Sequence, residues 1–189
     1  PLADAAAVIG ALTLVNAAQM VAKGWRHVAW RQWRIVVAFS LPTVVVGFEL
    51  LHWLAAERLD ALRLMLAGVI VVASVQIVKA PKAGATLPGG ASFAAAGVAS
   101  GLLGGLFSTG GPPVIYRFYT SPLPLPTIRE TLVAIFALNA SLRLALVIGA
   151  GPRPPMSAWT GLLAIPVVMA ATAAARRWPP PLSPQKLRL

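Results

Sequence analysis

Gly97-Val98-Ala99-Ser100-Gly101-Leu102-Leu103-Gly104-Gly105-Leu106-Phe107-Ser108-Thr109-Gly110-Gly111-Pro112-Pro113 lies inside the longest uncharged run of the chain, residues 83–116. Gly97, Gly101 and Gly105 recur every four residues, so they share one helix face and admit another backbone closely. Gly110-Gly111-Pro112-Pro113 cannot continue that helix. Glycine admits positive φ, and proline lacks a donor and drives the residue before it out of the α region. Proline is accepted in a first helical turn, so a second arm can begin there. The stretch therefore predicts two helical arms with a break between them. At membrane depth such a break survives only where protein or a water-filled cavity satisfies its backbone. Its free N–H groups and the helix N-terminus favour an anion. The residues leave two readings open, a substrate-site element or a tight helix crossing followed by a surface loop.

The rest of the chain supplies the membrane. Of 189 residues 58% are hydrophobic and 11% charged, against about a quarter charged in an average soluble domain. Mean hydropathy is +0.77. The net charge of +11 comes from sixteen Lys and Arg scattered between long apolar runs. They form no single basic face, which argues against nucleic-acid binding. Disorder requires low hydrophobicity and is excluded. With no cysteine there is no disulfide framework and no zinc-thiolate site. No metal ligand set, cofactor motif, HExxH, GxSxG or paired intramembrane carboxylates is found, so no enzymatic activity is expected.

Apolar stretches long enough to span a bilayer recur throughout: Ala5–Ala22, Ile35–Trp53, Leu64–Val78, the uncharged run, Thr131–Ile148 and Pro154–Ala175. Trp25, Trp30, Trp33, Trp53, Trp159 and Trp178 fall at or near their ends, where amphipathic rings settle at headgroup level. Lys23, Arg26, Arg31 and Arg34 crowd one connection, which is placed in the cytoplasm. The Glu57–Arg63 connection has mixed charge and suits the opposite side. Lys79 and Lys82 return the chain to the cytoplasm, and Arg117 and Arg129 mark the same side. Both flanks of the uncharged run then share a side. One straight helix cannot achieve that, whereas two arms broken in the middle can.

Leu14-Val15-Asn16-Ala17 resembles Ala137-Leu138-Asn139-Ala140, and Pro42-Thr43-Val44-Val45 resembles Pro166-Val167-Val168-Met169. From Asn16 to Asn139 is 123 residues and from Pro42 to Pro166 is 124. In the first copy the strongly basic loop follows the Asn span; in the second it follows the Pro span. The copies prefer opposite orientations, as inverted-topology repeats of secondary transporters do. Residues 1–82 read as the remainder of a first repeat and residues 83–189 as a second with its last helix cut short. The first span and the initiator Met are absent, so the sequence reads as the middle of a longer protein.

Arg143 lies mid-span, four residues after Asn139 and on its face, and is the leading candidate to pair with an anionic substrate. Snorkelling or binding of a helix end is the alternative. Asn16 and Asn139 occupy equivalent repeat positions and can bridge the broken helices or simply join neighbours. Glu49 and His52 suit proton relay, or solvation at a span end beside Trp53.

Gly101 through Pro113, continued by Val114-Ile115-Tyr116, resembles the glycine-rich signature of the TauE/SafE family of sulfite exporters. The Asn139 and Pro166 spans follow in the family's order, and the resemblance covers most of the chain. Ser108 and Thr109 depart from the family's Gly-hydrophobic-Gly form and add hydroxyls. The resemblance implies a multi-pass permease of the bacterial inner membrane that moves sulfite, sulfonates or related small anions. The expected fold is an all-α transmembrane bundle of two inverted repeats with a broken glycine-rich helix. Ser108, Thr109, Gly110, Gly111, Asn139, Arg143 and Asn16 would contact the substrate. The expected partners are the small anion and the lipid bilayer, with no nucleic acid and no cofactor; homo-oligomerisation is left open. The rivals are a membrane scaffold, whose glycine faces only pack helices, and an anion channel.

Overall fold

The computed structural model describes residues 24–78, 84, 86–150 and 170. Within them every regular element is helical. A 3-10 turn, Trp25–His27, precedes α1 (Trp30–Glu57), α2 (Leu59–Val78), α3 (Gly90–Phe107), α4 (Gly111–Tyr119) and α5 (Leu125–Ala150). Four of these, α1, α2, α3 and α5, are long and apolar enough to cross a membrane. The Asn16 span, the Pro166 span, Lys79, Lys82, Trp159, Trp178 and the C-terminal basic stretch lie outside the described residues, and with them the comparison of the two repeats.

Helix ends differ from the sequence expectation where polar residues favour helix. The mixed-charge connection over Glu57–Arg63 contracts to Arg58 alone. Arg58 donates its N–H to the Leu54 carbonyl at 2.9 Å, and Leu62 donates to the Arg58 carbonyl at 3.2 Å. Asp60 in the first turn of α2 suits the positive end of a helix, and Leu59, Ala61, Leu62 and Arg63 are good helix formers. α5 likewise starts at Leu125, six residues ahead of the apolar run, with Pro126 in its first turn.

α1 carries Pro42 in its interior, which leaves the Ala38 carbonyl without its helical donor. Thr43 sits beside this gap and donates its hydroxyl to the Phe39 carbonyl at 2.9 Å and the Ser40 carbonyl at 3.0 Å. Against this face of α1 packs the glycine stripe of α3. A Cβ on Gly97 would lie 2.7 Å from the Val36 carbonyl oxygen, and one on Gly101 would lie 2.8 Å from Ser40 Cα. One on Gly105 would lie 2.7 Å from the Phe48 nitrogen. Gly47 reciprocates from α1, where a Cβ would lie 3.2 Å from Gly105 Cα. The contact register rises together on both helices, so α1 and α3 run in the same direction with their backbones in contact. The stripe is thus a packing device, as close approach of membrane helices requires.

The core joins α1, α3, α4 and α5 through Val36, Phe93, Val114, Phe118, Ile128 and Ile135, all buried. Phe93 and Phe118 meet edge to face with ring centroids 5.2 Å apart. In contrast, no described side chain of α2 is buried, and Leu64, Ile70, Val71 and Val72 stand exposed. So apolar a surface is at home in lipid or against further protein, and not in water.

Candidate functional site

α3 ends at Phe107 because Ser108 turns left-handed, with φ 59° and ψ 15°, and donates its N–H to the Gly104 carbonyl at 3.1 Å. It is the only non-glycine residue with positive φ among those described. This is the αL helix ending usually given to glycine. Thr109 donates its hydroxyl to the Phe107 carbonyl at 3.0 Å. Gly110 follows, and α4 begins at Gly111 with Pro112 and Pro113 in its first turn.

The chain then folds back along α3. Gly110 packs on Ser100, whose buried hydroxyl donates to the Gly110 carbonyl. A Cβ on Gly110 would overlap the Ser100 carbonyl oxygen, so this contact requires glycine. At the other end of α4, Phe118 reaches Phe93 near the start of α3. Below it Gly84 donates its N–H to the Thr120 carbonyl at 2.9 Å. The segments entering α3 and leaving α4 are therefore neighbours. At 1.5 Å per residue α3 is about 27 Å long and α4 about 13 Å, so α4 alone is too short to cross a bilayer.

α5 runs alongside α1 in the same direction. The Ala29 N–H donates to Thr131 Oγ1 at 2.9 Å, and eight residues further along α5 the Ser40 hydroxyl donates to Asn139 Oδ1 at 3.0 Å. Both Ser40 and Asn139 are buried. Ser40 also lies under Gly101, so one serine joins α1 to α3 through its backbone and to α5 through its hydroxyl. Phe136, one turn before Asn139, lies against Gly111. Arg143, one turn after Asn139, continues to the level of Val44, which itself lies over Gly105 and beside Gly104. That brings it near the depth of the break. Its Nε is buried and has no hydrogen-bond partner among the described residues.

The predicted residues thus divide. Gly110, Gly111 and Asn139 are brought into one junction of α1, α3, α4 and α5, and Arg143 stands one turn beyond it. Ser108 and Thr109 are exposed at the tip of the turn. Glu49 and His52 are exposed on α1 beyond Val44. His52 Nδ1 lies 3.0 Å from the Phe48 carbonyl oxygen and its ring meets the Phe48 ring edge to face. Asn16 lies outside the described residues. No group of three or more His, Cys, Asp or Glu that could hold a metal occurs among the described residues.

Two residues at the junction have no counterpart in the sequence reading, Ser40 and Ser100. Each signal was present in outline: Ser100 precedes Gly101 of the stripe, and Ser40 stands two before Pro42. The helix N-terminus also offers less than its position suggests. Pro112 and Pro113 carry no N–H, which leaves Gly111 and Val114 as the donors among the first four residues of α4.

Four helices long and apolar enough to cross a membrane suit a multi-pass membrane protein. The chain belongs to the sulfite exporter TauE/SafE family, whose model matches residues 1–189. That family consists of exporters and not enzymes. Among curated proteins the chain is 34% identical over 188 residues to the "Probable sulfite/organosulfonate exporter TauE" of Cupriavidus necator, covering all of this chain and 73% of the relative. No solved structure matches it.

Proposed function

We infer that the protein exports a small sulfur oxyanion, sulfite or an organosulfonate, across the bacterial inner membrane by alternating access. The observation that carries this reading is the break at residues 108–110 folded back on Ser100, with Arg143 near its depth on α5. α3 and α4 form a broken, re-entrant pair whose turn faces the substrate path, and an equivalent pair belongs to an inverted first repeat. A sulfonate or sulfite group carries three acceptor oxygens and negative charge. The Arg143 guanidinium supplies charge and a fork of donors, the Gly111 N–H a helix-end donor, and Ser108 and Thr109 rotatable hydroxyls. Pairing offsets the cost of an arginine inside the membrane whenever the anion is present. Asn139 and Ser40 hold α5 on α1, and the glycine stripe gives α3 a close track along which to rock.

The name of the Cupriavidus necator relative supports the substrate class. The test is flux of sulfite and of a simple alkylsulfonate in proteoliposomes, with wild type and Arg143→Ala. Saturable flux that falls with Arg143→Ala supports the exporter. Flux that does not saturate and shows no counter-transport indicates a channel, and no flux of either anion indicates a scaffold. An imposed pH gradient in the same vesicles tests coupling through Glu49 and His52.

A further inference from the structure

One end of the helix bundle gathers arginines from separate stretches of sequence. Arg26 belongs to the 3-10 turn, Arg31 and Arg34 to the first turns of α1, and Arg129 to the first turn or so of α5. The Ala29–Thr131 hydrogen bond brings these segments together. All four side chains are exposed, and none is in an ion pair among the described residues. Glu130, beside Arg129 in sequence, lies against Gly24 with its Oε2 buried. Arg117 is not part of the rim, because its guanidinium lies over the Phe93 ring at 5.6 Å.

Two half-exposed indoles stand among the arginines. Trp25 is 53% and Trp30 46% exposed, and the Arg26 guanidinium lies 5.8 Å from the centre of the Trp25 ring. Indole rings that open to the outside at a helix end set the depth of the headgroups. The opposite end of the bundle is different. There Glu49, Glu57 and Asp60 stand with Arg58 and Arg63, and Asp60 pairs with Arg63 at 3.5 Å. Among the described residues one rim is thus strongly positive, and the other is nearly balanced.

We propose that the rim formed by Arg26, Arg31, Arg34 and Arg129, with Trp25 and Trp30, is a binding site for the phosphodiester headgroup of anionic phospholipid. An orientation signal needs only a count of charges in a loop. Here four arginines from the 3-10 turn, α1 and α5 are gathered at one end of the bundle beside two indoles, a chemistry that matches phosphate oxygens at headgroup depth. The site is distinct from the break and from Arg143, so it holds whether or not the transported anion is sulfite.

The experiment is tryptophan quenching in vesicles by brominated phosphatidylglycerol or brominated phosphatidylcholine at equal mole fraction. The rim signal is the part of the quenching lost when Trp25 and Trp30 are both replaced by Phe. In about 0.05 M salt the rim is expected to favour the anionic lipid about fivefold or more, the effect of one arginine near such a surface. The preference should disappear near 1 M salt, where the screening length is about 3 Å. It should also be lost in the fourfold Arg→Gln variant and kept in the fourfold Arg→Lys variant. Equal quenching of wild type by the two lipids overturns the proposal, independently of how the variants fold. Displacement of the anionic lipid by inorganic phosphate, beyond a chloride control of the same ionic strength, overturns the lipid assignment in favour of a soluble phosphate.

Discussion

Replacing Gly101 with alanine tests the α1–α3 contact on which the candidate site is built. The new Cβ would overlap Thr43 Oγ1 and the Ser40 carbonyl oxygen and lie 2.8 Å from Ser40 Cα. Carbon atoms in contact sit about 3.5 to 4.0 Å apart, so the helices must separate there by at least about 0.7 Å. The Thr43 hydroxyl can rotate aside, but the Ser40 carbonyl and Cα are backbone and cannot. The expected loss is therefore at the upper end for overpacking, about 3 kcal/mol. Two other glycine substitutions serve as controls. A Cβ on Gly104 has its closest neighbour at 3.8 Å, and one on Gly68 of α2 meets nothing within 4 Å. Gly68→Ala is expected to stabilise by up to about 1 kcal/mol, the helix propensity of alanine over glycine. Gly104→Ala should lie near wild type. Unfolding of the purified protein in mixed micelles, followed by far-UV circular dichroism, ranks the three. If Gly101→Ala unfolds with wild type, or Gly104→Ala suffers equally, α3 is not seated on α1 through this stripe.

Further outcomes follow from the same geometry. Ser108→Gly should stabilise by about 1 kcal/mol, because the left-handed region costs an L-residue about that much, and the same unfolding assay reads it. Ser40→Ala and Asn139→Ala, measured singly and together, should show a coupling of about 0.6 to 1.7 kcal/mol, the range for hydrogen bonds between membrane helices; additive losses would mean the two do not interact. Arg143→Ala should lower saturable anion flux about ten- to a hundredfold, the loss of a charge-assisted hydrogen bond, with Arg143→Lys falling less. Unchanged flux in Arg143→Ala would remove the arginine from the site.

Composition and patterning exposed the membrane helices, because lipid demands long apolar segments and internally satisfied backbone. Gly110-Gly111-Pro112-Pro113 disfavours the continuation of a preceding helix on local grounds alone, and α3 ends before it at Phe107 while α4 starts at Gly111. Lys79, Lys82, Arg117 and Arg129 led the sequence to expect both flanks of the uncharged run on one side. In the fold their neighbours Gly84 and Thr120 are hydrogen-bonded to each other. What could not be read was tertiary. Nothing local to Ser40 tells that Gly101 presses on its backbone while Asn139 accepts its hydroxyl, since these partners are 61 and 99 residues away. The connection expected over Glu57–Arg63 was drawn too long because charge there read as loop, although Asp60 and Arg63 sit comfortably on an exposed helix. Ser108 and Thr109 were legible as hydroxyls at the break, but not the left-handed turn that Ser108 adopts.

The chain has no cysteine, so a single thiol introduced by Thr109→Cys reports on the break without further engineering. The most direct test of anion binding there is the rate at which a charged methanethiosulfonate reagent modifies that thiol. If the break holds the transported anion, an unreactive alkylsulfonate slows labelling in a saturable way, chloride at equal ionic strength does not, and Arg143→Ala abolishes the protection. A labelling rate indifferent to the sulfonate in the Arg143-containing protein would contradict the assignment of the break as the substrate site.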